Sequence, residues 1–153
     1  PLTGTATGSL ATNKNIRIAK VPTITSVTGT SSNTNAVLAV LADVVAVTVT
    51  LDSNDIISGS NATLTLETGV VDRQGALSST TATTLVFNYT VQSGDVNSLL
   101  NYTSTSALNL GNVVINGFSG LVLPLPALAS NSSLKASNIK VDTTAPGSPT
   151  LTR

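Results

Sequence analysis

Leu85-Val86-Phe87-Asn88-Tyr89-Thr90-Val91 places Leu85, Phe87, Tyr89 and Val91 on one parity and Val86, Asn88 and Thr90 on the other. Successive side chains of an extended chain point to opposite sides, so a period of two over seven residues predicts a β-strand with one buried face. The same pattern spreads outwards along the chain. In Val45-Ala46-Val47-Thr48-Val49-Thr50-Leu51 the large apolar residues share one parity, and Leu64 and Leu66 repeat it within Thr63–Glu67. Leu100 with Tyr102, and Ile139 with Val141, give further core-facing pairs. Ala36-Val37-Leu38-Ala39-Val40-Leu41-Ala42 contains good helix formers but leads straight into a β run; its place predicts a strand, with a short helix as the alternative.

Turn-forming residues punctuate these runs at Asp52-Ser53-Asn54-Asp55, Ser58-Gly59-Ser60, Asp72-Arg73-Gln74-Gly75, Ser93-Gly94-Asp95 and Asn116-Gly117. Asn-Gly between Val113-Val114-Ile115 and Phe118 is the preferred dipeptide of a type I′ hairpin, in which both central residues take positive φ. Short strands at this spacing predict an all-β chain folded as a two-sheet antiparallel sandwich.

Composition narrows the chemistry. The chain has 153 residues, enough for one domain with its own core, and neither Cys nor His. Disulfides, thiolate metal sites, a cysteine nucleophile and a Ser-His-Asp triad are therefore excluded. Charged residues make up only 9% of the chain, balanced at seven basic and seven acidic, while Ser and Thr approach 30%. Such a surface carries no electrostatic footprint for nucleic acid or an anionic membrane, and it opposes self-association weakly. The longest apolar run, residues 36–47, is interrupted by Asp43 and falls well short of the ~20 residues a membrane-spanning helix needs. Pro1-Leu2-Thr3-Gly4 has neither the basic nor the apolar region of a signal peptide, which predicts a processed or excised chain.

Ser133-Leu134 with Asn138-Ile139-Lys140-Val141 has a degraded copy near the start, Ser9-Leu10 with Asn15-Ile16-Arg17-Ile18-Ala19-Lys20. Pro149-Thr150-Leu151-Thr152 likewise echoes Pro22-Thr23-Ile24-Thr25. An internal repeat at the length of one all-β domain predicts three parts. Residues 1–21 are a surplus strand and linker like the end of a preceding repeat. Residues 22–146 are the sandwich, and residues 147–153 are a linker and the start of a next repeat. Ile16, Arg17, Ile18, Ala19, Lys20, Pro149, Thr150, Leu151 and Thr152 are thus the candidate assembly residues.

Thr63-Leu64-Thr65-Leu66-Glu67-Thr68-Gly69, then residues 85–95, then 100–108, then Val141-Asp142-Thr143-Thr144-Ala145-Pro146 together resemble the bacterial Ig-like repeats of very large surface adhesins, over residues 22–146. The resemblance implies an Ig-like sandwich of seven or so strands, exported to the cell surface or beyond and strung in tandem, with calcium stiffening the junctions. Two motifs depart from the family. Leu41-Ala42-Asp43 stands where such repeats often have Ala-Gly-Asp, and Ile115-Asn116-Gly117-Phe118-Ser119-Gly120 where they have Lys-Asp-x-x-Gly-Asn.

Calcium takes six to eight oxygen ligands, usually including several carboxylates. Asp52 and Asp55 with Ser53 and Asn54 between them offer a weak site, and the same four residues equally make a loop held by Asx turns. Asp142, at the junction position the resemblance implies, is either a calcium ligand or a strand-end aspartate bonding nearby amides. Glu67 and Asp72 are the only carboxylates considered for glycoside hydrolysis, and Asp72 beside Arg73 reads better as a solvated turn pair. Phe87, Tyr89 and Tyr102 have core parity, which leaves Phe118 alone as an exposed ring for a sugar. Asn61, Asn88, Asn101 and Asn131 open sequons, as many as chance provides in so Asn-, Ser- and Thr-rich a chain.

The expectation is a non-catalytic structural module, an adhesin shaft or self-assembling fibre, whose partners are neighbouring copies stacked head to tail. Two alternatives are a filament subunit polymerising by strand exchange through residues 1–20, and an adhesin domain that binds a ligand.

Overall fold

Val45, Val47 and Val49 are fully buried, and so are their partners Tyr89, Phe87 and Leu85 on the strand opposite. The two runs that alternate most strongly in the sequence are thus zipped together at the centre of one sheet. The structure, a computed structural model, describes residues 20–52, 57–145 and 147. In chain order its strands are β1 (Ile24–Ser31), β2 (Leu38–Ala39), β3 (Val44–Leu51), β4 (Ile57–Ser58), β5 (Thr63–Glu67) and β6 (Arg73–Thr80). They continue with β7 (Thr84–Thr90), β8 (Val96–Asn97), β9 (Asn101–Tyr102), β10 (Leu108–Asn109), β11 (Val114–Ile115) and β12 (Lys140–Asp142). A single 3₁₀ turn, η1 (Leu134–Ser137), precedes β12, and the described residues contain no α-helix. The chain is all-β.

The main sheet is antiparallel and runs β1-β3-β7-β6-β5-β10, with β9 also on β5. Its centre has Greek-key order, since β5, β6 and β7 follow one another and the earlier β3 lies beside β7. The described residues form two further small sheets, β11 with β4 and β2-β12-β8. In the latter β12 is antiparallel to β8 and parallel to β2.

One hydrophobic core runs through all of it, with Phe87, Tyr89, Tyr102, Leu64, Leu66, Leu85, Leu100 and Ile139 each at most 1% exposed. Burying a large apolar side chain contributes roughly 1.5–3 kcal/mol relative to leaving it in water. η1 packs against β1 where Gly29 lacks a side chain. A Cβ there would stand 2.7 Å from Leu134 Cδ1 and 2.9 Å from Ile139 Cδ1, so glycine is what admits the approach.

Residues 121–125 also reach the core, with Leu123 and Leu125 buried and Val122 exposed. They alternate like a strand but form none, because Pro124 and Pro126 carry no backbone N–H to give a ladder.

Asn116 and Gly117 have φ of 53° and 85°, and Ile115 and Phe118 exchange backbone hydrogen bonds of 3.1 and 2.9 Å across them. The predicted two-residue hairpin is present. Two expectations are corrected. Of residues 36–42 only Leu38–Ala39 forms a strand, and Val37, Val40 and Leu41 are exposed. Good helix formers and apolar content mark that stretch, but tight turns on either side leave only two residues to pair. Arg73, Gln74 and Gly75 lie inside β6, and the chain bends earlier, at Gly69-Val70-Val71. Gly75 pairs with Leu64 of β5 as an ordinary ladder residue, and a Cβ there would stand in normal contact with Phe87 Cβ at 3.4 Å.

Candidate functional site

The registers fix where the chain enters and leaves. Ile24 at the start of β1 pairs with Leu51 at the end of β3, and Val44 at the start of β3 pairs with Thr90 at the end of β7. Asp142, the last residue of β12, pairs with Val96, just beyond the turn that follows β7. The described chain therefore begins at one pole of the main sheet and finishes at the other. Eight residues of β3 at about 3.3 Å each separate the poles by roughly 25 Å.

The N-terminal pole is tied by Asp52. Its Oδ1 accepts from Thr23 N (2.9 Å), and its Oδ2 accepts from Thr23 Oγ1 (2.9 Å) and from Lys20 Nζ. Lys20 and then Thr23 hold the Asp52 carboxyl well below the usual carboxylate range. The Asn116 hairpin tip reaches the same segment, with Asn116 Nδ2 donating to Lys20 O (3.3 Å).

The C-terminal pole is organised around a buried aspartate. Asp95 is 1% exposed, and its Oδ2 accepts from Tyr89 OH (2.6 Å) and Gln92 N (2.9 Å) while Oδ1 accepts from Arg73 Nε (2.9 Å). Burial alone would raise the Asp95 pKa; the bonds from Tyr89, Gln92 and Arg73 outweigh it and lower it. For Tyr89, burial and then the bond to Asp95 push the phenol well above its ordinary value. The departing chain is fastened to this cluster, since Thr143 Oγ1 donates to Asp95 O (3.0 Å) and accepts from Gly94 N (3.1 Å). β7 and β6 are thereby joined at the Asp95 carboxylate, and the exit segment is held beside it through the backbone of Gly94 and Asp95.

Asp142 sits beside this latch. Its Oδ1 accepts from Thr144 N (3.0 Å), Lys140 Nζ stands 2.7 Å from Oδ2, and Lys140 followed by Thr144 bring its pKa down to about 2.

Two of the three candidate calcium residues lie among the described residues. Asp52 and Asp142 lie at opposite poles, each against a lysine, and Asp55 lies outside the described residues. No group of three or more acidic, His or Cys side chains converges among the described residues. Of the assembly residues, Lys20 is at the N-terminal pole, while Ile16, Arg17, Ile18, Ala19, Pro149, Thr150, Leu151 and Thr152 lie outside the described residues.

Glu67 and Asp72 flank the β5–β6 bend and are exposed, with Glu67 Oε1 accepting from Gly69 N (3.2 Å). The expected solvated pair of Asp72 with Arg73 is corrected, since Arg73 turns its guanidinium to Asp95. Phe118 is 37% exposed, and the other three rings are core.

Sequence reading placed Asp95 in a turn and missed the latch. One signal was present: Tyr89 stands on the buried parity, and a buried phenol needs a hydrogen-bond partner. Among protein-family models, curated proteins and solved structures, nothing matches the chain.

Proposed function

We propose that this chain is a non-catalytic structural module of a bacterial extracellular or surface protein, an Ig-like repeat stacked head to tail with neighbouring copies. One observation carries the reading: the chain enters at one pole and leaves at the other, each end fastened by its own polar cluster. A domain threaded that way adds its whole length to a string of copies, whereas domain termini are often close together. The resemblance of residues 22–146 to adhesin repeats and the echo of Pro22-Thr23-Ile24-Thr25 at Pro149-Thr150-Leu151-Thr152 support the same reading. A chain lacking His and Cys has few groups for acid–base or nucleophilic chemistry, which supports a mechanical task.

The test is the mass of the native polypeptide. Many times 15.4 kDa is expected, and a native mass near 15.4 kDa would refute the tandem array.

A further inference from the structure

Exposed apolar side chains gather where the chain leaves. In the small sheet β12 lies between β2 and β8, so the exit strand is flanked on both sides. Val40 and Leu41 continue from β2 on one side, in the direction of the exit, because β2 and β12 are parallel. On the other side Val96 opens β8 opposite Asp142, and its N–H donates to Thr68 O (2.9 Å), which brings up the Gly69-Val70-Val71 bend. Leu41, Val70, Val71 and Val96 are 57%, 98%, 52% and 46% exposed. Exposed apolar residues in turns contribute little to the core of their own domain, and here they flank the Lys140–Asp142 pair of the exit strand on both sides, as an interaction surface with a polar centre would.

We infer that this collar is a docking surface for the opposite pole of the next copy of the fold, which presents Val21 and Phe118. The inference rests on the tandem reading. Two features select that occupant. Only six residues separate Asp142 from Pro149, where the echo of the first strand begins, so the following copy cannot start more than about 25 Å from the collar. Pro146 and Pro149 within and after that linker limit its freedom further. The N-terminal pole exposes apolar side chains too, beside the Lys20–Asp52 pair. Val21 and Phe118 are 46% and 37% exposed, and the Asn116 bond to Lys20 holds the hairpin tip against the incoming strand. The exposed apolar side chains of two poles meeting across a short linker exclude water from one another and fix the angle between copies. The junction is stiffened by side-chain packing.

Residues 1–148 followed directly by residues 22–153 make a two-copy polypeptide with native spacing, and nitrogen-15 relaxation reports the tumbling time of each half. Both halves are expected to share one tumbling time, at least double that of the single chain. In Leu41→Asp/Val70→Asp that time falls towards the single-chain value while the thermal midpoint stays put, since both side chains lie in exposed turns. Val122→Asp, at an 82% exposed site outside the apolar residues named for either pole, leaves it unchanged. Halves that tumble independently in the parent polypeptide, or a double variant indistinguishable from Val122→Asp, overturn the docking surface and leave the tandem reading standing. A native mass of one copy with a rigid two-copy polypeptide overturns the tandem reading and supports the contact, then made between separate subunits.

Discussion

Asp95 gathers three donors on two oxygens while 1% exposed, so its removal strands a phenol, a backbone amide and a guanidinium together. Breaking a buried charged cluster from one side costs more than the net worth of its bonds, because the abandoned donors stay desolvated. Asp95→Ala is expected to lower unfolding free energy by roughly 3 kcal/mol, with Arg73 still partly solvated and limiting the loss; urea denaturation measures it. The pH dependence follows from the directions of the shifts. Asp95 titrates lower in the folded state than unfolded, so its contribution is full above the ordinary carboxylate value of about 3.9 and is lost as pH falls through the folded value. Asp142 adds to the same acid limb down to about 2. Tyr89 titrates higher when folded, so its contribution is full below about 10 and is lost as pH rises beyond that. Thermal midpoints should therefore decline below about pH 4 and above about pH 10, with the acid limb shallower in Asp95→Ala and the alkaline limb shallower in Tyr89→Phe. A midpoint that improves on acidification would contradict this.

The elements differ in what forms them. The β11 hairpin depends on backbone conformation, because Gly117 has φ of 85° with nothing within 4 Å of a Cβ placed there. Gly117→Ala should cost about 1–2 kcal/mol without any change in the core, as read by thermal unfolding alongside near-ultraviolet spectra. That turn, β3, β5 and β7 were legible in the sequence, since large apolar residues alternate in the strands and Asn-Gly allows few conformations. β6 was not. Its inner positions are Arg73, Gly75 and Leu77, and the rest of Arg73–Thr80 is Gln, Ala, Ser and Thr, so no alternation shows and Gly75 imitates a turn. β1 was equally faint, with Val27 alone buried, and its identity comes from its neighbours. Its outer N–H groups at Val27, Gly29 and Ser31 donate to Ser132 O, Ser137 Oγ and Ala36 O, so that stretch of edge is covered. An exposed row there would invite pairing with another chain. The polar latch was illegible for a related reason: partners 6, 22 and 48 residues from Asp95 leave no local spacing to read.

For the whole molecule, opposite poles mean that any load on a string of such domains passes through each one from end to end. At the N-terminal side that load falls on β1, whose seven registered pairs with β3 lie along the pull and must slide together before any of them opens. At the C-terminal side it falls on β12, which has two pairs with β2 and two with β8. The shorter attachment yields first unless something reinforces it, and the Thr143 bonds to Asp95 and Gly94 are placed to do so. In single-molecule stretching between its ends, the chain should give way at a lower peak force when Thr143 is replaced by Val, which removes both bonds, by a larger fraction than in Gly117→Ala. Equal losses in the two variants would mean that the rupture force follows overall stability. In such a string the Thr143 hydroxyl behind the last strand would be a mechanical fuse, setting the tension at which one link lets out its slack while its neighbours stay folded.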